Sequence, residues 1–162
     1  MEHFDKASCS LALKVLSTVS GGLFAGAALY VDCVEAPARR THDAALAITI
    51  WKPSFIRAKN LQTKMCLISV ASSFGVYFSM RGSGKCPMPW LVAGTTMFAI
   101  IPYTLIFIRP VYTELLETEK CISVKGDSWI TENLNYWSKL HSVRTVVSLG
   151  AFTLMAYALS KS

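Results

Sequence analysis

Two stretches of this chain carry residue types that can move a proton and hold a charge. Near the C-terminal end stand Trp137, His141 and Arg144, spaced four and three apart. At 100° per residue they lie within about 60° of one another on a helix. One helix face would then present an aromatic ring, a group that titrates near neutrality and a fixed cation. An imidazole of ordinary pKa, about 6.5, is suited to general-base work. The second stretch holds Asp32, Glu35, Pro37, Arg39 and Arg40, then Trp51, Arg57 and Asn60. Glu35 and Arg39 are four apart, the spacing of an intrahelical ion pair if the helix runs on through Pro37.

Plainer explanations exist for the same residues. Trp51, Trp129, Tyr136 and Trp137 fall where an interfacial aromatic belt would lie, and Arg39, Arg57 and Arg144 suit topology anchors. A lone histidine at a helix start is commonly a paired structural residue. A metal site is not expected: His3 and His42 have no ligand-like spacing to His141, and Cys9, Cys33, Cys66, Cys86 and Cys121 include no C-x-x-C. Walker loops, G-x-G-x-x-G and H-E-x-x-H are absent too.

Composition indicates what must position these groups. The 162 residues are 52% hydrophobic and 16% charged, where a soluble domain is about 25% charged, and the mean hydropathy is +0.41. The charges lie in the gaps between four uncharged runs, Val15 to Val31, Met65 to Met80, Cys86 to Ile108 and Thr145 to Ser160. A span needs about 20 residues. The third run suffices alone, and the others reach that length if Lys14, Lys64, Arg144 and Lys161 snorkel from the ends. The chain is therefore expected to be all-α, a four-helix transmembrane bundle forming a single membrane domain over 1–162, with spans near 11–33, 62–80, 88–108 and 140–159. A soluble bundle would need a polar face on each helix, and these runs offer only Ser, Thr, Gly and Ala. Gly22, Ala25, Gly26 and Leu29 on the first span, and Ser69, Ser72, Ser73 and Ser79 on the second, mark the small faces by which membrane helices approach.

Four spans place the N-terminus, the connection 81–89 and the C-terminus on one side, with five of the 16 Lys and Arg residues; the two long connections hold the other eleven. The positive-inside rule then puts both long connections in the cytoplasm for a multi-pass integral membrane protein. The +6 net charge becomes a topology signal, nucleic acid is not expected as a partner, and membrane lipids are. The same topology brings Glu35, Arg39, Trp51, Arg57, Asn60, Trp137, His141 and Arg144 to one membrane face. Buried charge is costly unless paired, so these side chains are expected to converge in one polar pocket, with His141 nearest its centre and an opening to the side or toward that interface.

Four segments together carry a family resemblance: Gly21-Gly-Leu-Phe-Ala-Gly-Ala-Ala-Leu-Tyr-Val-Asp-Cys-Val-Glu-Ala-Pro-Ala-Arg39, Trp51-Lys-Pro-Ser-Phe-Ile-Arg57, Ile101-Pro-Tyr-Thr104 through Arg109-Pro110 to Leu115, and Trp137-Ser-Lys-Leu-His141-Ser-Val-Arg144. In them the chain resembles the anthrone oxygenase-like family of small four-helix membrane proteins, from about Gly21 to Leu159, with W-x-x-L-H-x-x-R the most specific block. The resemblance implies oxidation of a lipophilic aromatic small molecule, an anthrone to an anthraquinone, by a cofactor-independent monooxygenase. No cofactor is expected, and molecular oxygen is the co-substrate. It implies catalytic roles for His141 as base, for Arg144 as the cation that holds the resulting anion, and for Glu35, which either orients His141 or pairs with Arg39. Trp137, Trp51, Arg39 and Arg57, which lie in the matching segments, and Asn60, by topology alone, are the expected substrate-binding residues. The chain departs from the family after Pro110: a Thr-Asn pair is usual there, whereas this chain has Val111 and Tyr112 and so lacks an amide that could hold a polar substrate. The alternative is a non-catalytic membrane protein, whether scaffold, lipid binder or subunit of a larger complex, whose polar residues tie the spans together.

Overall fold

The structure is a computed structural model that describes residues 2–82, 84 and 86–161, with side chains from Ser8 onward. His3, and Lys6 and Lys85, two of the five cations counted on the less basic side, lie outside the described side chains. Helix α1 runs Glu2–Tyr30 and continues through a π turn, Val31–Glu35, into Ala36–Arg39. Helix α2 is Ala44–Met80. Helix α3, Met88–Tyr103, continues through a second π turn, Thr104–Ile108, into Arg109–Leu115. Helix α4 is Asp127–Ser160. Before it come a short helical piece, Thr118–Lys120, and a third π turn, Cys121–Lys125. No strand occurs among the described residues.

Local chemistry sets these boundaries. The Asp43 carboxylate accepts the Leu46 N–H at 2.8 Å and starts α2. At Gly126, φ is +82°, a conformation that glycine reaches without strain, and the chain turns there into α4. The first two π turns each precede a proline by the same spacing, 31–35 before Pro37 and 104–108 before Pro110. Proline has no N–H, and its ring presses on the carbonyl four residues back. Lengthening the ladder to i→i+5, with Ala36 N–H on Val31 O and Arg109 N–H on Thr104 O, absorbs the misfit without breaking the helix.

Helices α1 and α3 each pack on both α2 and α4, so neighbours in sequence are neighbours in space and α4 closes the ring on α1. The interior is spotted with hydroxyls. Ser17 Oγ and Ser73 Oγ are 2.6 Å apart, and Ser69 Oγ donates to the Ser17 carbonyl at 3.1 Å. The outer surface is apolar on all four helices: Leu16 and Leu23, Leu61 and Leu67, Phe98 and Ile106, Val143 and Val146 are exposed. In water such a belt is an aggregation surface; in hydrocarbon it is solvated. Three helices, Ser8–Arg39, Met88–Leu115 and Asp127–Ser160, are long and apolar enough to cross a membrane, consistent with an integral membrane protein. Helix α2 is not among them: its charge-free stretch, 65–80, is 16 residues long and carries four serines. Ser69, Ser72 and Ser73 are buried inside the bundle, however, while Leu67 and Phe78 face out.

The small face of α1 lies elsewhere than its glycine spacing suggests. Gly21, Phe24, Ala25 and Ala28 are buried, whereas Gly26 and Leu29 point outward. The inward stripe follows the 3.6-residue period from Gly21, which the Gly22-to-Gly26 spacing does not. A Cβ on Gly26 would meet nothing within 4 Å, whereas one on Gly94 would stand 2.8 Å from Ser73 Cβ. Gly94→Ala should therefore lower stability by about 1–3 kcal/mol through overpacking, and Gly26→Ala should leave it unchanged or slightly raised. Thermal unfolding in detergent checks the pair.

Two apolar cores stack along the bundle. One holds Phe24, Val70, Met97 and Met155. The other, at the end of the long connections, holds Trp51, Phe55, Leu115, Ile130 and Trp137.

Candidate functional site

Helix α4 shows how the site arises from its sequence. Its inward stripe runs Ile130, Leu134, Trp137, His141, Arg144, Thr145, Ser148, Ala151 and Met155. The stripe is apolar at both ends and polar in the middle, where the two cores meet. Ionisable residues at such a depth are costly and mark pairing or function.

His141 is 2% exposed. Its Nδ1 lies 3.0 Å from Asp32 Oδ1, and Thr145 Oγ1 donates to Asp32 Oδ2 at 2.5 Å. An ionised carboxylate only accepts, so Nδ1 carries the hydrogen and Nε2 is left as the basic nitrogen. Asp32 reaches α4 from the π turn of α1, so the turn that absorbs Pro37 also presents the carboxylate. Such turns recur at functional sites.

Glu35 is engaged elsewhere. Its Oε1 accepts a hydrogen bond from Ser54 Oγ and lies 3.8 Å from Arg39 Nη1. Of the two roles open to it, the pairing with Arg39 is the one formed; Asp32 orients His141.

Arg144 is 9% exposed. Its Nη2 donates to Gln62 Oε1 at 2.8 Å, and its guanidinium lies 5.3 Å from the centroid of the Phe24 ring. Among the described residues no carboxylate forms an ion pair with it. The aromatic wall is continuous: Trp51 stacks on Phe55 at 4.7 Å, meets Trp137 edge-on at 5.3 Å, and Trp137 lies 5.2 Å from the His141 ring.

These groups surround one narrow cavity, lined by Glu35, Trp51, Gln62, Trp137, His141 and Arg144 among others, with room for little more than a water-sized molecule. Two wider grooves adjoin it. One, between α1 and α2, shares Val31, Glu35, Ser54, Ala58 and Gln62 with the cavity and has Arg57 and Leu61 at its rim. The other has Phe24, Cys66, Ile100 and Leu105 on its walls and shares Lys59 and Arg144.

Of the eight residues singled out from the sequence, Glu35, Trp51, Trp137, His141 and Arg144 line the central cavity. The other three do not. Arg39 lies 5.5 Å over the Trp137 ring but lines a separate hollow with Arg40, His42 and Asn135. Arg57 is exposed at the groove rim, and Asn60 is exposed and lines none of these spaces. Both sit on the side of α2 opposite Trp51 and Phe55. Sequence reasoning missed Gln62 and Thr145, and noted Asp32 without giving it a role. Thr145, four residues after His141, was legible as a same-face neighbour. Asp32 was not separable from Glu35 by spacing, because the π turn shifts the register between them.

One protein family, described as anthrone oxygenase, matches residues 51–154, well over half of the chain. No curated protein matches, and no solved structure does. The matched region contains most of α2 and of α4 but not Asp32 or Glu35.

Proposed function

Because the chain belongs to the anthrone oxygenase family, we propose that it oxidises an activated methylene of a lipophilic aromatic substrate with molecular oxygen, using His141 as the base. The observation that carries this reading is the Asp32–His141 bond of 3.0 Å beside an uncountered Arg144. In this route His141 Nε2 takes a proton from the methylene, and the carbanion charge spreads to an oxygen of the ring system, where Arg144 faces it. Oxygen accepts the electrons and joins the carbon, the proton returns, and the resulting hydroperoxide loses water. In balance, one methylene and one dioxygen give one ketone carbonyl and one water: the carbonyl keeps one oxygen atom, and the other leaves with both methylene hydrogens. The substrate supplies the electrons, so the route requires no metal or organic cofactor. The apolar ring enters from the bilayer by one of the two grooves, and its reacting edge meets the narrow cavity.

Oxygen uptake by the purified protein tests the proposal. With an anthrone in detergent, one O2 should be consumed per quinone formed, chelators should have no effect, and His141→Ala should abolish uptake while the protein stays folded. No uptake by the wild type, or loss of fold alone in His141→Ala, favours the non-catalytic alternative.

The positive-inside rule further places the site end of the bundle on the cytoplasmic side. Cys9 and Cys86 are exposed at the other end, whereas Cys121 is buried, and burial pushes its thiol pKa up, which keeps it unreactive. Val124 is 73% exposed on the long connection. A membrane-impermeant maleimide should label Cys9 and Cys86 from outside intact cells and label Val124→Cys only after the membrane is opened. Labelling of all three from one side would overturn the orientation.

A further inference from the structure

Among the described residues, five buried side-chain polar atoms have no hydrogen-bond partner: Arg39 Nη1, Trp51 Nε1, Gln62 Nε2, Trp137 Nε1 and Arg144 Nε. Every one is an N–H donor. Four of the five belong to residues that line the cavity beside His141. Buried polar groups are satisfied in the great majority of cases, so a concentration of orphans calls for an explanation. These orphans share a sign, which makes the explanation chemical: although Glu35 and His141 also line the cavity, none of these donors meets an acceptor.

Charge points the same way. The carboxylates nearby are both committed, Asp32 to His141 and Thr145, and Glu35 to Ser54 and Arg39. Among the described residues Arg144 has only the neutral Gln62 oxygen as its hydrogen-bond acceptor. That bond also fixes the amide, with Oε1 on Arg144 and the Nε2 donors free. Lys59, whose Nζ lies 5.5 Å from the Tyr112 ring, adds a second cation to the lining. A buried cation without a counter-ion costs several kcal/mol unless an anion joins it.

We propose that the cavity binds its substrate by an aromatic oxyanion, a phenolate or enolate oxygen, held by the Gln62, Arg144 and tryptophan N–H groups while the ring lies in the adjoining groove. This rests on reading the cavity as the substrate site. It adds that the ligand is captured in its ionised form before any step with oxygen. The indole and amide donors then serve recognition as well as the charge that develops during reaction. A ring of the same shape without an ionisable oxygen leaves those donors buried and unpaired, so it is rejected.

The test uses 2-naphthol and 2-methoxynaphthalene, which are alike in shape but differ in whether they can ionise. Binding to the full-length protein in detergent is read against protein-free micelles, and the longer-wavelength absorption of the naphtholate reports the bound form at pH 7. The wild type should bind 2-naphthol at least about ten-fold more tightly than the ether, and bind it as the anion. Gln62→Glu keeps an acceptor for Arg144 but puts a carboxylate in place of the free donor. It should erase the preference, while binding of the ether stays within about two-fold. Trp51→Phe, which removes one donor and keeps the stack on Phe55, should cost about ten-fold for 2-naphthol alone. Equal binding of the two probes, capture of neutral 2-naphthol, or a preference that survives in Gln62→Glu overturns the proposal. Naphtholate capture without oxygen uptake on an anthrone would instead defeat the catalytic reading and leave this one standing.

Discussion

Replacing Asp32 with Asn should lower oxygen uptake by about 100- to 10,000-fold, the range that positioned acid–base catalysis spans. The side chain keeps its size, and an Asn oxygen can still accept from Thr145 Oγ1. What changes is the group facing His141 Nδ1, now an NH2 donor. Two donors cannot share a bond, so the imidazole moves its hydrogen to Nε2 and presents an acceptor at Nδ1. Nε2 then has no lone pair for a substrate proton, and the imidazolium formed in the reaction has no carboxylate beside it. The bond network survives in altered form, so unfolding in detergent should shift by no more than about 1–3 kcal/mol. Thr145→Val removes one of the two bonds that hold Asp32 and leaves the tautomer intact, so its effect should be smaller, about ten-fold. Oxygen-electrode rates and thermal melts on the three proteins measure both quantities. Uptake within a few-fold of wild type in Asp32→Asn would remove His141 as the base.

The bundle could be read from the sequence because its physics is local. Long uncharged runs between charged residues point to helices in a membrane, and those runs lie on α1, the C-terminal part of α2, α3 and α4. The face of α4 could be read for the same reason: spacing by four and three fixes Trp137, His141 and Arg144 on one stripe in any helix. What could not be read depends on departures from ideal geometry and on partners across the bundle. Pro37 signals a disturbance near Glu35, but whether the helix kinks, ends or widens decides which of Asp32 and Glu35 meets α4. It widens, and Asp32 does. Gln62 sits in the turn before an apolar run, where a polar residue is unremarkable; only the arrival of Arg144 at 2.8 Å gives it a role. Arg57 and Asn60 fail for the opposite reason. They share the membrane face of the site but lie on the wrong side of α2, and depth along the bundle says nothing about direction around a helix.

The sharpest division between a catalytic site and a polar tie between spans comes from Arg144→Met. The catalytic reading expects uptake to fall by at least about 100-fold, the loss found when a donor to a developing oxyanion is removed. It also expects the ligand-free protein to melt no lower than wild type. Arg144 is buried between two apolar cores, 5.3 Å from the Phe24 ring, with a neutral amide oxygen as its hydrogen-bond acceptor. Methionine fills similar space without the cost of holding a charge out of water, and such exchanges are often neutral or stabilising by about 1–4 kcal/mol. Against this stands the loss of one bond to Gln62 Oε1, about 1–3 kcal/mol if the amide finds no other donor. The two effects nearly cancel, so stability holds while function is lost. A residue retained to fasten α4 to α2 would behave in the reverse way: its removal would lower the melting temperature and leave ligand capture and oxygen uptake limited only by the fraction folded. A ligand restores the asymmetry. Saturating 2-naphthol should raise the melting temperature of the wild type, because it binds the folded form alone, and should not raise that of Arg144→Met.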